Sequence, residues 1–396
     1  MSIYLFKHPL CKGGVRWEKS TSIPKEHRPK LVEVSSVRDT LVKVLADRAP
    51  APTIVRTIEA YLPFLYGVIS VPNLATTRHL SISWSSCVTS KQRLCPMQNV
   101  FFEAVSVHYL YAYATSILAH VSLLESHKDG LFSTAIPGAI KHLLKSASIL
   151  TFTKANLLPY VVMLPAQRPV ELLPAFNDAM VSLFLAQAQS LIVVKAEESG
   201  KMPSLIAKLS LSVYDRSNAA LLYLKSLLAD YHELASDFLI HIEELGNLFK
   251  IKAFRYLAKS LYDDRECGKA VALLRACRDH FDSIAVAETG RSVYWSEIVK
   301  LERKDVKRTL SQYETDLNIV FFQSVPPLEH IPIPESLHIA EVGQWSPPEK
   351  AFSFGEEQQP QGDGEPLGMQ GMDDVEKDGE KKEEEEVKGE DDSKDE

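Results

Sequence analysis

Asp178–Val213 reads DAMVSLFLAQAQSLIVVKAEESGKMPSLIAKLSLSV, and its punctuation predicts two helices folded back on each other. Met180, Leu183, Phe184, Ala188, Leu191 and Ile192 recur at helical spacing among strong helix formers. Ser199-Gly200 ends that helix, because glycine accepts the left-handed backbone that a helix C-terminus often needs. Pro203 opens the second helix, where its fixed φ suits the first position and its missing N–H costs nothing. Ile192 and Lys195, three apart, share a face of the first helix; Leu205 and Leu209, four apart, share a face of the second. The hairpin is expected to present Ile192, Leu205 and Leu209 together, with Lys195 beside them. Apolar residues at such spacing are more often ordinary core, so the pattern carries no function alone.

Outward from the hairpin the helical texture continues. Long helices are expected over about 99–125, 134–154, 167–199, 203–229, 231–263, 267–285 and 289–316, after two shorter amphipathic ones at Val37–Arg48 and Pro52–Val68. Residues 250–283 resemble a single tetratricopeptide-type helical pair with a tight glycine turn. Residues 79–84 (HLSISW) alternate apolar with polar and predict a half-buried strand; few other stretches do, so any sheet is small. The class is all-α, built of long antiparallel helices.

Residues 318–350 are proline-rich yet too apolar for a free linker. Phe321, Phe322, Val325, Leu328, Ile331, Ile333 and Trp345 need cover, so this segment is expected to lie back along the helices. After Ala351 the apolar content collapses, and a disordered tail is expected. Residues 371–396 hold 14 Asp and Glu against 5 Lys, a balance of −9. The net charge of −8 therefore leaves the other 370 residues at +1. A near-neutral body gives no footing for nucleic acid. The domain division expected is 1–350 and 351–396.

Five irregularly spaced cysteines, Cys11, Cys87, Cys95, Cys267 and Cys277, fit neither a disulfide framework nor a zinc site and point to a reducing compartment. The most membrane-like run, Phe101–Leu124, carries Glu103, His108 and His120 and reads as a core helix. Ser2 stands where myristoylation needs glycine, and the final residues DDSKDE offer no cysteine for prenylation. His232-Glu233 lacks the second histidine of a zinc-protease helix, Gly200-Lys201 is followed by Met202 rather than Ser or Thr, and no G-x-S-x-G occurs. No catalytic, cofactor-binding or metal-ligating residue is assigned, and no enzyme is expected.

Four segments in order carry a family resemblance. Trp84-Ser-Ser with Gln98-Asn-Val-Phe-Phe-Glu103, then KHLLKSASILTFTK at 141–154, then LAQAQ…KA…LIAKL in the hairpin, then NIVFFQSVP at 318–326 together resemble the Bro domain (ALIX-like) family. The likeness spans roughly residues 75–350 and is closest in architecture to a stand-alone member, without a coiled-coil arm.

The resemblance implies an elongated, boomerang-shaped helical domain with a small β-sheet in its N-terminal third and an extended C-terminal return segment. It implies a cytoplasmic, monomeric adaptor of the ESCRT machinery at endosomal or similar membranes; because a Glu/Lys tail stands where the stand-alone member has a prenylation signal, no direct lipid anchor is expected and recruitment would come through partners. Its partner would be the C-terminal amphipathic helix of an ESCRT-III (Snf/CHMP-type) subunit, held helix-in-groove. The matching positions are Ile192, Leu205 and Leu209, with Lys195 and Lys141 as the basic ones. Ile192 stands where the pattern is aromatic, and Pro137 replaces a basic residue. These departures keep open a second reading: a scaffold of the same fold that binds other peptides. A regulatory tyrosine of the family falls on Phe321, which has no hydroxyl to modify.

Overall fold

The computed structural model describes residues 3–19, 28–71, 80–128, 130–162, 164–284 and 293–353. The acidic tail, and the stretch at 289–292 expected to open the last helix, lie outside the described residues. The helices are α1 (Arg28–Ala46), α2 (Ala51–Ile69), α3 (Val100–Lys128), α4 (Phe132–Asn156), α5 (Pro174–Glu198), α6 (Pro203–Lys225), α7 (Ser236–Asp263), α8 (Cys267–Ile284) and α9 (Val293–Asp316). Each packs chiefly on its sequence neighbours, so the body is a row of antiparallel helices.

Three expectations are corrected. α1 starts nine residues before Val37, because Pro29 falls in its first turn, where no N–H is needed. The strand expected over His79–Trp84 shrinks to β1 (Ile82–Trp84); it pairs antiparallel with β2 (Cys95–Met97), which Pro96 hides from a strand reading. The turn between α7 and α8 needs no glycine: Arg265 takes the left-handed conformation (φ 63°). Gly268 lies inside α8 instead, where a Cβ would come within 2.2 Å of the Ser324 carbonyl oxygen.

Among the described residues the helix apolar enough to cross a membrane is α5 rather than Phe101–Leu124, and 72% of its most apolar window is buried. Most of the core lies between α1 and α7; a smaller one, with Ile251, Val271, Leu274 and Val306, joins α7, α8 and α9.

The first sequence motif has a physical reason. Glu103 on α3 is fully buried and accepts from Arg38 Nε (2.7 Å) and Nη2 (3.1 Å), Trp84 Nε1 (2.6 Å) and the Tyr61 hydroxyl (3.2 Å). One carboxylate thus ties α1, α2, β1 and α3 together. Removing Arg38 would strand a buried charge with no water to replace it, and removing Trp84 or Tyr61 would cost that charge one of its donors.

The return segment does run back over the helices. Gln323 starts it by accepting from Gly268 N (2.9 Å) and donating to the Arg265 carbonyl (2.8 Å). Leu337 N then donates to the Lys208 carbonyl on α6 (3.0 Å), and Arg216 donates to the Ala340 carbonyl (2.7 Å). Trp345 packs edge-on against Phe152 and His108, and Ala351 N reaches the Pro63 carbonyl on α2 (3.0 Å). The segment is a strap from α8 to α2. Its cover is selective: Ile331 is buried, Phe321, Val325 and Trp345 are partly covered, and Phe322, Leu328 and Ile333 face solvent, contrary to the expectation that all seven would be covered.

Candidate functional site

The α5–α6 turn closes as its sequence dictates. Gly200 is left-handed (φ 60°); its N–H bonds the Glu197 carbonyl and Lys201 N–H bonds the Ala196 carbonyl. These two bonds satisfy carbonyls at the helix end and fix the reversal. Pro203 follows as the first residue of α6.

The second glutamine of the LAQAQ run explains why the strap crosses here. Gln189 is fully buried on α5. Its amide nitrogen donates to the Leu337 carbonyl (3.0 Å) and the Leu209 carbonyl (3.4 Å), and its oxygen accepts from Ile339 N (3.1 Å) and Ala340 N (2.9 Å). One side chain therefore serves four backbone groups on α6 and the strap. Ser212 on α6 adds a 2.6 Å bond to His338 Nδ1.

These anchors locate the expected site residues. Ile192 is three residues from Gln189, Leu205 is seven from Ser212, and Lys141 is seven from Ser148, which lies under Gly343 of the strap. Spacings of three and seven return to the same helix face, so all three sit on the strap's face. Ser133 on α4 donates to Glu198 on α5 (2.7 Å), which sets the antiparallel match and puts Lys141 level with the residues just before Ile192. Ile192 and Leu205 are half-buried; Lys141 and Lys195 are exposed. Lys201 and Lys208 are exposed as well, and none of the four lysines has an acidic partner among the described residues.

Leu209 is a correction. It is only 2% exposed and belongs to the core. Lys208 and Ser212, on either side of it, both bond the strap, and Gln189 holds its carbonyl, so α6 is pinned down where Leu209 would otherwise face out. The sequence reading also missed two apolar residues. The strap is extended, so alternate side chains point outward. Leu337 (38% exposed) and Ile339 (51%) do so directly over α6 and α5. Their alternation with Ser336, His338 and Ala340 was the available signal. The apolar surface is thus Ile192 and Leu205 on the helices, edged by Leu337 and Ile339 on the strap, with lysines around it. No group of three or more His, Cys, Asp or Glu able to hold a metal occurs among the described residues.

Two buried histidines are strongly perturbed. His108, beneath Trp345, is held neutral, its pKa pushed down to about 4 by burial against a weaker opposing bond to the Ala104 carbonyl. His241, facing Gln187, is likewise pushed down to about 4 by burial. His108 joins α2, α3, α4 and the strap, and His241 joins α7 to α5.

The fold is shared with solved structures. An ALIX BRO1–CHMP4C complex matches with a TM-score of 0.68 at 16% identity, over 87% of this chain and 95% of that one. ALIX in complex with the SIVmac239 PYKEVTEDL late domain matches with a TM-score of 0.70 at 16% identity, over 89% of this chain and 50% of that one. A Bro1 domain structure described as a basis for endosomal targeting gives 0.66 at 15%, over 87% and 93%. No curated protein matches by sequence. The model of the BRO1-like domain covers residues 17–365. With most of its length matched by that model and the same helical row and strap, this chain belongs to the BRO1-like domain family.

Proposed function

We propose that this protein is a non-enzymatic adaptor of the ESCRT machinery that binds an amphipathic helix from the C-terminal tail of an ESCRT-III subunit. The observation that carries this reading is the apolar strip of Ile192, Leu205, Leu337 and Ile339 beside four lysines that have no acidic partner among the described residues. A helix with one apolar and one acidic face fits such a strip. The solved ALIX BRO1 domain with CHMP4C offers a precedent for a partner of this kind. Each aliphatic anchor contributes about 1.5–3 kcal/mol when fully covered. Association and ordering of the partner offset much of that, which leaves an affinity of about micromolar. The adaptor is cytoplasmic and reaches endosomal membranes through that partner.

The test is titration of the full chain with C-terminal tail peptides of ESCRT-III subunits. Leu205→Asp and Ile192→Asp are each expected to weaken binding well beyond tenfold with helical content intact, because neither side chain is fully buried. Leu209→Asp is expected to lose fold and binding together. Wild-type protein that ignores every such tail would defeat the reading. The burial of Leu209 favours a second reading in that event, a scaffold of the same fold recognising other peptides, since it removes one of three expected anchors.

A further inference from the structure

Between Ile331 and Leu337 the strap crosses from α8 to α6 without a backbone tether. Ile331 is buried in the smaller core, and Leu337 N is bonded to α6. The backbone of residues 332–336 (PIPES) makes no hydrogen bond among the described residues. Pro332 and Pro334 have no N–H, so the free donors are those of Ile333, Glu335 and Ser336. Each proline also keeps the residue before it extended. The span is therefore a short stretch of extended chain with its edge unpaired.

This span forms one wall of an open groove of about 540 Å3; Tyr214 and Asp215 of α6 and Lys250 and Phe254 of α7 form the other. α7 comes close to α6 at Gly246, where a Cβ would lie 3.1 Å from the Ser217 Cβ and 3.8 Å from the Tyr214 ring. Glycine thus seats Tyr214 one helical turn from Lys250. Lys250 Nζ lies over two ring faces, 5.0 Å from the centre of Tyr214 and 5.8 Å from that of Phe254. No carboxylate pairs with it among the described residues, although Asp215 and Glu335 line the same groove. A half-buried ammonium held by two rings has lost water without gaining an anion.

We propose that this groove takes an extended peptide segment that pairs with the strap at Ile333 and Glu335, sets one acidic side chain on Lys250 and lays an apolar neighbour against Tyr214, Phe254 and Ile333. The backbone pairing is that of a strand added to an open edge. The acid supplies the charge-assisted bond that Lys250 lacks. Tyr214 and Phe254 are half-buried and Ile333 is 43% exposed, so all three have apolar surface left to cover. Asp215 and Glu335 are both exposed and repel a run of carboxylates. The segment therefore carries a single acid with uncharged or basic flanks. That differs from the acidic-faced helix proposed for the apolar strip, so the occupant is a second partner, and the protein joins two peptides along one strap.

The experiment is equilibrium recovery of capped pentapeptides on the full chain. Each member of the synthetic pool has Glu, Asp or Gln between residues drawn from Val, Leu, Phe and Tyr. Recovered members are remade with a fluorescent label and titrated by anisotropy. Glu and Asp members are expected to be recovered over Gln ones. Their binding is expected to fall about tenfold or more in Lys250→Glu and to persist in Lys250→Arg. N-methylation of the peptide backbone beside the acid is expected to abolish it. An empty pool, equal recovery of Gln members, unaltered binding by Lys250→Glu or tolerance of N-methylation would overturn the proposal. So would equally tight binding of free glutamate, which would leave an anion site with no strand edge. Loss of pentapeptide binding in Leu205→Asp would do the same, by placing the peptides on the apolar strip. ESCRT-III tail binding is expected to persist in Lys250→Glu, so the two readings fail separately.

Discussion

The apolar strip and the α6–α7 groove both set apolar side chains beside lysines along one strap, but in opposite ways. At the strip Ile192 and Leu205 are half-sunk between helices, and a buried amide bonds the strap down beside them. At the groove the backbone of residues 332–336 bonds nothing among the described residues, and Tyr214 and Phe254 face the gap. A half-sunk strip on rigid helices suits a helix, whose own backbone is already paired. An unpaired edge suits a chain that still has backbone groups to pair. The same residue types thus read differently according to what holds them.

The largest expected effect breaks the strip alone. Gln189→Leu leaves three strap backbone groups, the Leu337 carbonyl and the Ile339 and Ala340 N–H, without their partner, at a cost of about 3 kcal/mol or more. Urea unfolding should show that loss, tail binding should vanish, and pentapeptide binding by the remaining folded protein should survive, because Ile331 and Leu337 N still hold the groove's wall. Survival of tail binding would mean the strap edge is not part of the strip.

Acid should act on two buried sites with opposite sign. His108, under the strap, and His241 ionise below about 6.5 in the unfolded chain but only near 4 in the folded one. Stability from keeping them neutral is present above pH 6.5 and is lost as pH falls towards 4, by about 3 kcal/mol for each. Glu171, just before α5, accepts from Ser86 and Cys87 N and is pushed up to about 7 by burial. Its buried charge destabilises above pH 7, and that cost is relieved as pH falls towards 4.5, again by about 3 kcal/mol. Two histidines against one carboxyl give a net loss of about 3 kcal/mol on acidification. Glu171→Gln should raise stability at pH 8 and steepen the acid loss, as thermal melts across pH would record.

Smaller still, Leu205→Asp should weaken tail binding by about 2 kcal/mol, near thirtyfold, with pentapeptide binding unaltered. Lys195→Glu should cost about 1 kcal/mol or less, fading as salt is added. Calorimetry at two ionic strengths separates these two.

Much of the helical row was legible because its boundaries carry their own chemistry: Gly200 and Pro203 punctuate α5 and α6, whereas the start expected near 167 was seven residues early because Pro174 opens α5. The strap was legible as a segment needing cover, but not its path. That path depends on Gln189, whose role as an anchor requires knowing what lies across from it. Leu209 was misplaced for the same reason: its helical face is right, but a segment more than a hundred residues away pins that face down. Leu337 and Ile339 escaped because the segment was read as apolar residues needing cover, not as one that turns alternate side chains outward. The groove was not legible at all, since its residues come from α6, α7 and the strap, which only the fold brings together.

The strap also sets an order of events during synthesis. Helices α1 to α9 emerge from the ribosome before residues 323–352, and each can pack on its neighbour as it appears. The carbonyl of Lys208 and the amide oxygen of Gln189 lack their strap partners until the strap arrives. Until then the nascent row exposes a longer greasy seam than the finished protein does, and such seams invite aggregation. Docking of the strap is therefore the folding step that most needs a chaperone.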